Sequence, residues 1–219
     1  MSKIIKETFI LFAITLVAGL GLGFVYNVTF DARLKQEEKT KLEAFEAVMP
    51  GMDSFEEVSF KEDEVNKYVS DKIAETEKHD KTTTIKPYNA EVNQVVKAID
   101  KSGNELGYIV TITDKEAYGG SLQMTVGITT DKTVKGISYL SLSETPGLGM
   151  RASEDEFKNQ FSNKSVDYFK YVKTGATSDN EIDALSGATI TTNAVTHGVN
   201  GAIFCVDYLM GGDKWWTSV

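Results

Sequence analysis

The chain has 219 residues, ordinary apolar (41%) and charged (25%) content and a formal charge of −9, which describes a folded protein with one sizeable core and an acidic surface. Its single cysteine, Cys205, and two distant histidines, His79 and His197, exclude a disulfide framework, a Cys-rich zinc site, a chain-held iron–sulfur cluster and a c-type haem, and leave little for a His-based metal site. The acidic balance argues against wrapping nucleic acid, so any cofactor chemistry must rest on backbone, hydroxyls, carboxylates and aromatics.

Residues 8–30 carry no charged side chain. As a helix they would span roughly 34 Å, enough for a bilayer core of about 30 Å. A cleavable signal peptide would have a shorter apolar region and a small-residue cleavage site. This run instead leaves through Val28-Thr29-Phe30-Asp31, which favours an uncleaved anchor. Basic residues lie on both flanks, and long domains translocate largely regardless of charge, so charge alone does not orient the span. Gly19 and Gly23 form a G-x-x-x-G pair that would let another helix approach closely, although glycine is common in membrane helices anyway. Residues 31–48 are charged and helix-forming and should stop at Pro50-Gly51. Residues 55–84 read as peripheral helix and loop, or equally as a solvated insert.

Strand signals follow. Residues 91–99 and 106–113 flank the turn residues Ser102-Gly103-Asn104, and 122–129 and 134–142 form a second pair across Thr130-Asp131-Lys132. Residues 153–161 suggest a short helix with Ser153 as N-cap and Glu156 completing a capping box. A longer helix is predicted over 191–209, with Val195, Val199, Ala202, Ile203 and Val206 on one buried stripe. His197 falls inside it as a surface or satisfied helix residue, and Cys205 sits beside the stripe as an inert core thiol. Trp215-Trp216 would pack on a partner or lipid, or simply fray. Strands followed by helices make the fold class α+β: one N-terminal transmembrane helix, then an antiparallel-sheet domain with helices. The expected organisation is an anchor over 1–30, a helical stalk and peripheral segment over 31–85, and a domain over 86–219.

Three segments carry chemistry. In Asp183-Ala184-Leu185-Ser186-Gly187-Ala188-Thr189-Ile190-Thr191, small hydroxyl residues and glycine precede a helix start, whose unpaired N–H groups and dipole favour an anion such as phosphate. An ordinary N-cap would look the same. Glu144-Thr145-Pro146-Gly147-Leu148-Gly149 is a tight loop after a strand, able to offer backbone groups to a planar ring and an aliphatic side chain to its face, or merely a turn. Tyr118-Gly119-Gly120 suits close passage of backbone past a ligand, or a hairpin end.

Together these segments resemble the FMN-binding domains of the G subunits of Rnf complexes and of the related C subunits of sodium-pumping NADH:quinone reductases. The resemblance is dense over residues 90–205 and weak over 31–85. It implies an electron-carrier component of a membrane-bound, ion-translocating ferredoxin:NAD oxidoreductase, without independent turnover. It further implies FMN joined through its phosphate to the Thr189 hydroxyl by a separate flavin transferase, with Asp183 needed for recognition by that enzyme. Ser186, Gly187 and Ala188 would hold the phosphate end. Glu144, Thr145, Pro146, Gly147, Leu148 and Gly149, with Tyr118, Gly119 and Gly120, would line the isoalloxazine. Other membrane and peripheral subunits of the complex are the implied partners, and the flavin domain is expected outside the cytoplasmic membrane. The corresponding quinone-reductase component, and a non-redox anchored module for a phosphate-bearing ligand, are the alternatives. A second motif, Thr174-Gly175-Ala176-Thr177, lacks an acid at the matching upstream position, where Tyr171 stands, and an apolar helix start after it, so Thr189 is the better acceptor.

Overall fold

Runs of β-branched residues broken by turns build five consecutive strands in a computed structural model that describes residues 2–79, 89–173 and 175–211. Trp215-Trp216, Thr174 and residues 80–88 lie outside the described residues. The chain divides into residues 1–42 and 43–219. The first unit is wholly helical where described, part of α1 (Ser2–Val48), whose apolar stretch is long enough to cross a membrane and is not buried by protein.

In the second unit, β1 (Ser54–Glu57), β2 (Ala90–Ile99), β3 (Glu105–Ala117), β4 (Gly120–Thr129) and β5 (Val134–Ser141) pair in sequence order as an antiparallel meander. Both predicted hairpins are present. The pleat sends alternate residues to opposite faces. Val95, Val110, Val126 and Ile137 lie in register on one face, with Ile112 and Met124 beside them, and this face joins the main core. Val96, Ala98 and Ile109 join the other, where Phe45 and Val48 at the end of α1 and Met49 just beyond it are seated. Gly127 makes that seat possible: a Cβ there would stand 2.1 Å from the Val48 carbonyl oxygen.

Within residues 55–79 the expected helix is present, but it is not peripheral. Their start forms the exposed edge strand β1, and α2 (Glu62–His79) buries Val65, Val69 and Ile73 in the main core at i, i+4, i+8 spacing. The i+4 spacing was present in the sequence, but its apolar stripe is one residue wide among lysines and glutamates. Packing against α4 (Thr189–Leu209) decides the matter, with the Tyr68 and Tyr208 rings 5.1 Å apart.

The α4 helix is buried continuously from Thr191 to Val206, on more than the one predicted stripe. Several of its polar residues are accommodated by hydrogen bonds. Asn200 Nδ2 donates to the Phe169 carbonyl (2.8 Å) while Asn200 Oδ1 accepts the Phe169 N–H (2.7 Å). The amide thereby imitates a strand partner and fastens the segment before β6 (Lys170–Val172) to the helix. His197 is buried, 3.4 Å from the Asn193 amide. Burial pushes the Cys205 thiol up to about 12, in keeping with an inert core thiol.

The capping box at Ser153 does not form. A 3-10 turn occupies Gly149–Ser153, Ser153 Oγ donates back to the Met150 carbonyl (2.8 Å), and α3 (Asp155–Lys158) is capped by Glu154 without a side-chain hydrogen bond. The local back-bond within the turn has outcompeted the cap, as serine permits.

Candidate functional site

Strand β7 (Glu181–Asp183) pairs in parallel with β6 and leads the chain to the head of α4. Its two acids, two residues apart, lie on the same side of the strand and brace the loop before it. Glu181 accepts the Thr177 N–H (2.9 Å), the Thr177 hydroxyl (3.0 Å) and the Ser178 N–H (3.3 Å). Asp183 Oδ1 accepts the Ala176 N–H (2.8 Å). The Thr177 N–H, the largest influence, and its hydroxyl hold the Glu181 carboxyl down to about 2, helped by Lys170 and the Ser178 N–H. Thr177 is therefore committed to a loop brace.

The chain then turns through Leu185–Ala188, closed by the Ala188 N–H to the Leu185 carbonyl (3.0 Å), with Gly187 at φ +77 in the third position, where a left-handed residue is required. Thr192 reaches back across this turn, accepting the Leu185 N–H (3.1 Å) and donating to the Ala188 carbonyl (3.0 Å). Ala188 occupies the N-cap and makes no side-chain cap. Helix geometry leaves the N–H groups of the first turn without intrahelical acceptors, and here no cap oxygen replaces them. Thr189 is the first helical residue, two positions earlier than expected. Serine or threonine before a helix is the usual start signal; here the threonine's place is inside the helix and the cap itself is alanine.

This turn faces a cleft of about 420 Å³, within the size range of small-molecule sites. Tyr118, Glu144, Thr145, Leu148, Gly149, Gly187, Ala188 and Thr189 all line it, together with Ile190 and Thr191, the last two residues of the helix-start segment. Tyr118 and Leu148 are exposed at its mouth. The remaining candidates stand back from it. Pro146 and Gly147 (φ +74) shape the turn in which the Leu148 N–H bonds the Thr145 carbonyl (3.1 Å). Gly119 and Gly120 (φ +114) form the β3–β4 turn. A Cβ on Gly119 would lie 1.8 Å from the Ser143 carbonyl oxygen, so only glycine lets this turn approach the Glu144 loop, and its N–H donates to Glu144 Oε1 (3.2 Å).

Asp183 and Ser186 line a separate groove of about 160 Å³ with Arg151, Glu154 and Gln160. The Asp183 N–H donates to Gln160 Oε1 (2.6 Å). The structure thus separates the signature into two halves, Asp183 to Ser186 on one groove and Gly187 to Thr189 on the cleft.

No lysine or arginine lines the cleft among the described residues, so an anion there would rely on the α4 N–H groups and helix dipole. Two oxygens at its edge are buried and have no partner: Glu144 Oε2 and Thr191 Oγ1. An unmet buried polar group costs about 1–3 kcal/mol, which fits a surface built to meet a polar ligand.

Residues 117–203 match the FMN-binding domain family. The chain is 35% identical over 203 residues to the G subunit of the Na(+)-translocating ferredoxin:NAD(+) oxidoreductase complex of Acetobacterium woodii, covering 91% of this chain and 90% of that protein. It is 41% identical over 115 residues to the G subunit of the proton-translocating ferredoxin:NAD(+) oxidoreductase complex of Clostridium ljungdahlii, covering 52% of this chain and 61%, under two thirds, of that relative. A crystal structure of the C subunit of the Na(+)-translocating NADH-quinone reductase from Parabacteroides distasonis shares the fold, with a TM-score of 0.50, 19% identity and coverage of 84% of this chain and 98% of that one.

Proposed function

Because the chain belongs to the family of G subunits of ion-translocating ferredoxin:NAD(+) oxidoreductase complexes, we propose that it carries electrons within such a membrane complex through an FMN tethered by its phosphate to the Thr189 hydroxyl. The single observation behind the tether is the position of Thr189: first residue of a long buried helix, beside an uncapped set of N–H groups, in the wall of a ring-sized cleft. When bound, the flavin supplies one- and two-electron redox chemistry.

The residues present fit that group. The α4 N–H groups and dipole neutralise phosphate charge without a basic side chain. Gly187 and Ala188 keep side-chain bulk away from the phosphate end. Leu148 gives an aliphatic surface to a ring face, Tyr118 an aromatic one at the mouth, and the buried Glu144 and Thr191 oxygens offer polar contacts. Asp183 and Ser186 face the neighbouring groove, where a flavin transferase would read the signature from outside the cleft. The apolar part of α1 anchors the chain in the cytoplasmic membrane, with the flavin domain on its outer side. Coverage of 91% of this chain and 90% of the Acetobacterium relative favours this complex over the quinone reductase, whose C subunit in Vibrio anguillarum is 34% identical but matched over 56% of this chain and 50% of that protein.

The test is the full chain co-expressed with a flavin transferase and examined by flavin fluorescence on a denaturing gel. Thr189→Ala abolishes the fluorescent band, whereas Thr177→Ala, which removes a loop brace only, retains it. The reverse pattern would move the tether. A wild-type chain with no fluorescence would instead favour a non-redox binding module.

A further inference from the structure

The two unpartnered oxygens of the cleft converge on one point. A Cβ built on Gly149 would stand 2.5 Å from Glu144 Oε2 and 2.7 Å from Thr191 Oγ1. The two oxygens are therefore no more than about 5 Å apart, without a direct hydrogen bond, a spacing that one bridging polar atom closes. Glycine at position 149 leaves this space for them. Thr191 is 1% exposed and Glu144 is partly buried, and both line the cleft. They come from different elements: Thr191 from the first turn of α4, Glu144 from the loop after β5. The other oxygen of Glu144 is already used, accepting the N–H of Gly119 and so joining that loop to the β3–β4 turn.

We propose that Glu144 is a positioning residue with divided duties, one carboxylate oxygen fixing the turn beside Tyr118 and the other joining the Thr191 hydroxyl in a polar mount for one edge of the flavin ring. The inference rests on the FMN reading above, and it assigns to this pair a role in setting the ring's redox behaviour. A carboxylate accepts hydrogen bonds and adds negative charge; a threonine hydroxyl donates or accepts. Negative charge beside the ring opposes the arrival of electrons, so Glu144 lowers the flavin's midpoint potential. Thr191 fixes the polarity of the edge through its hydroxyl. Because Thr191 lies two residues beyond Thr189 on the same helical turn, the element that holds the tether also holds half of the mount.

The experiment uses the full chain in detergent after co-expression with a flavin transferase, and reads the visible spectrum, the midpoint potential at fixed pH and the melting temperature. Glu144→Gln keeps an oxygen for the Gly119 N–H and replaces the second oxygen by a neutral donor. It is expected to raise the potential with little change in melting temperature. Thr191→Val removes the hydroxyl at constant shape and is expected to shift the visible band; Thr191→Ser restores it. Glu144→Gln with wild-type potential, together with Thr191→Val with wild-type spectrum, would overturn the proposal. So would changes that appear only in step with a fallen melting temperature and are not rescued by Thr191→Ser, since those mark a structural role. Failure of the FMN reading itself is distinct: the wild-type chain would then carry no flavin, and the mount would fall with it.

Discussion

Two glycines beside the cleft answer different demands. At Gly149 an added methyl would meet side-chain atoms, Glu144 Oε2 at 2.5 Å, Thr191 Oγ1 at 2.7 Å and Glu144 Cβ at 2.9 Å, which can give by a rotation or small shift at the cost of their present positions. At Gly119 the obstacle is the Ser143 carbonyl, part of the backbone. Overpacking against rigid structure costs about 1–3 kcal/mol or more. Gly119→Ala should therefore lower the melting temperature of the full chain clearly more than Gly149→Ala does, as followed by circular dichroism. The opposite order would contradict the assignment of backbone contact at one site and displaceable side chains at the other. The two threonine motifs divide in the same way. Thr177 and Thr189 share a G-A-T spelling, but Thr177 spends both its N–H and its hydroxyl on Glu181.

The short strand β7 is held to its loop by charge as much as by pairing. The Glu181 carboxyl is lowered from an ordinary 4.5 to about 2 by the Thr177 and Ser178 donors and Lys170. A depressed carboxyl contributes stability that is complete above its unfolded value and lost as pH falls through its folded value. The melting-temperature difference between wild type and Glu181→Gln should thus be constant above about pH 4.5, shrink below it and vanish towards pH 2. A difference that stays constant through this acid range would refute the brace.

Much of the second unit was legible at the level of elements because the physics there is local. Alternation of β-branched residues and the turn residues Ser102-Gly103-Asn104 specify the β2–β3 hairpin without help from elsewhere. The signature and the Glu144 loop were legible as motifs, and the structure brings the Gly187–Thr189 half of the one and the Glu144 loop to one cleft while Asp183 to Ser186 face a separate groove. Other features depend on partners distant in sequence. The β1 strand has four exposed residues and exists because β2 offers it an edge. The α2 helix enters the core because α4 receives it. Thr191 is legible in the sequence as the end of the helix-start segment, but not its pairing with Glu144 on a different element across the missing side chain of Gly149. The Ser153 cap failed for a local reason, since a serine hydroxyl can satisfy a nearby carbonyl as well as a helix N–H.

In the molecule as a whole, an antiparallel meander buries one face under α2 and α4 and seats the end of α1 on the other. The α4 helix unites core and site. Its flank supplies the core, its first turn supplies Thr189 and Thr191, and the turn before it separates the cleft from the groove that holds Asp183. The proposed tether would keep the flavin from dissociating, which would suit a carrier exchanging electrons with neighbouring proteins of the complex. The most direct measurement is peptide mapping by mass spectrometry of the full chain after co-expression with a flavin transferase. The peptide containing Thr189 should carry the added mass of one FMN less one water, with fragmentation placing it on that hydroxyl. An unmodified Thr189, in a chain shown to have met the active transferase, would contradict the tether.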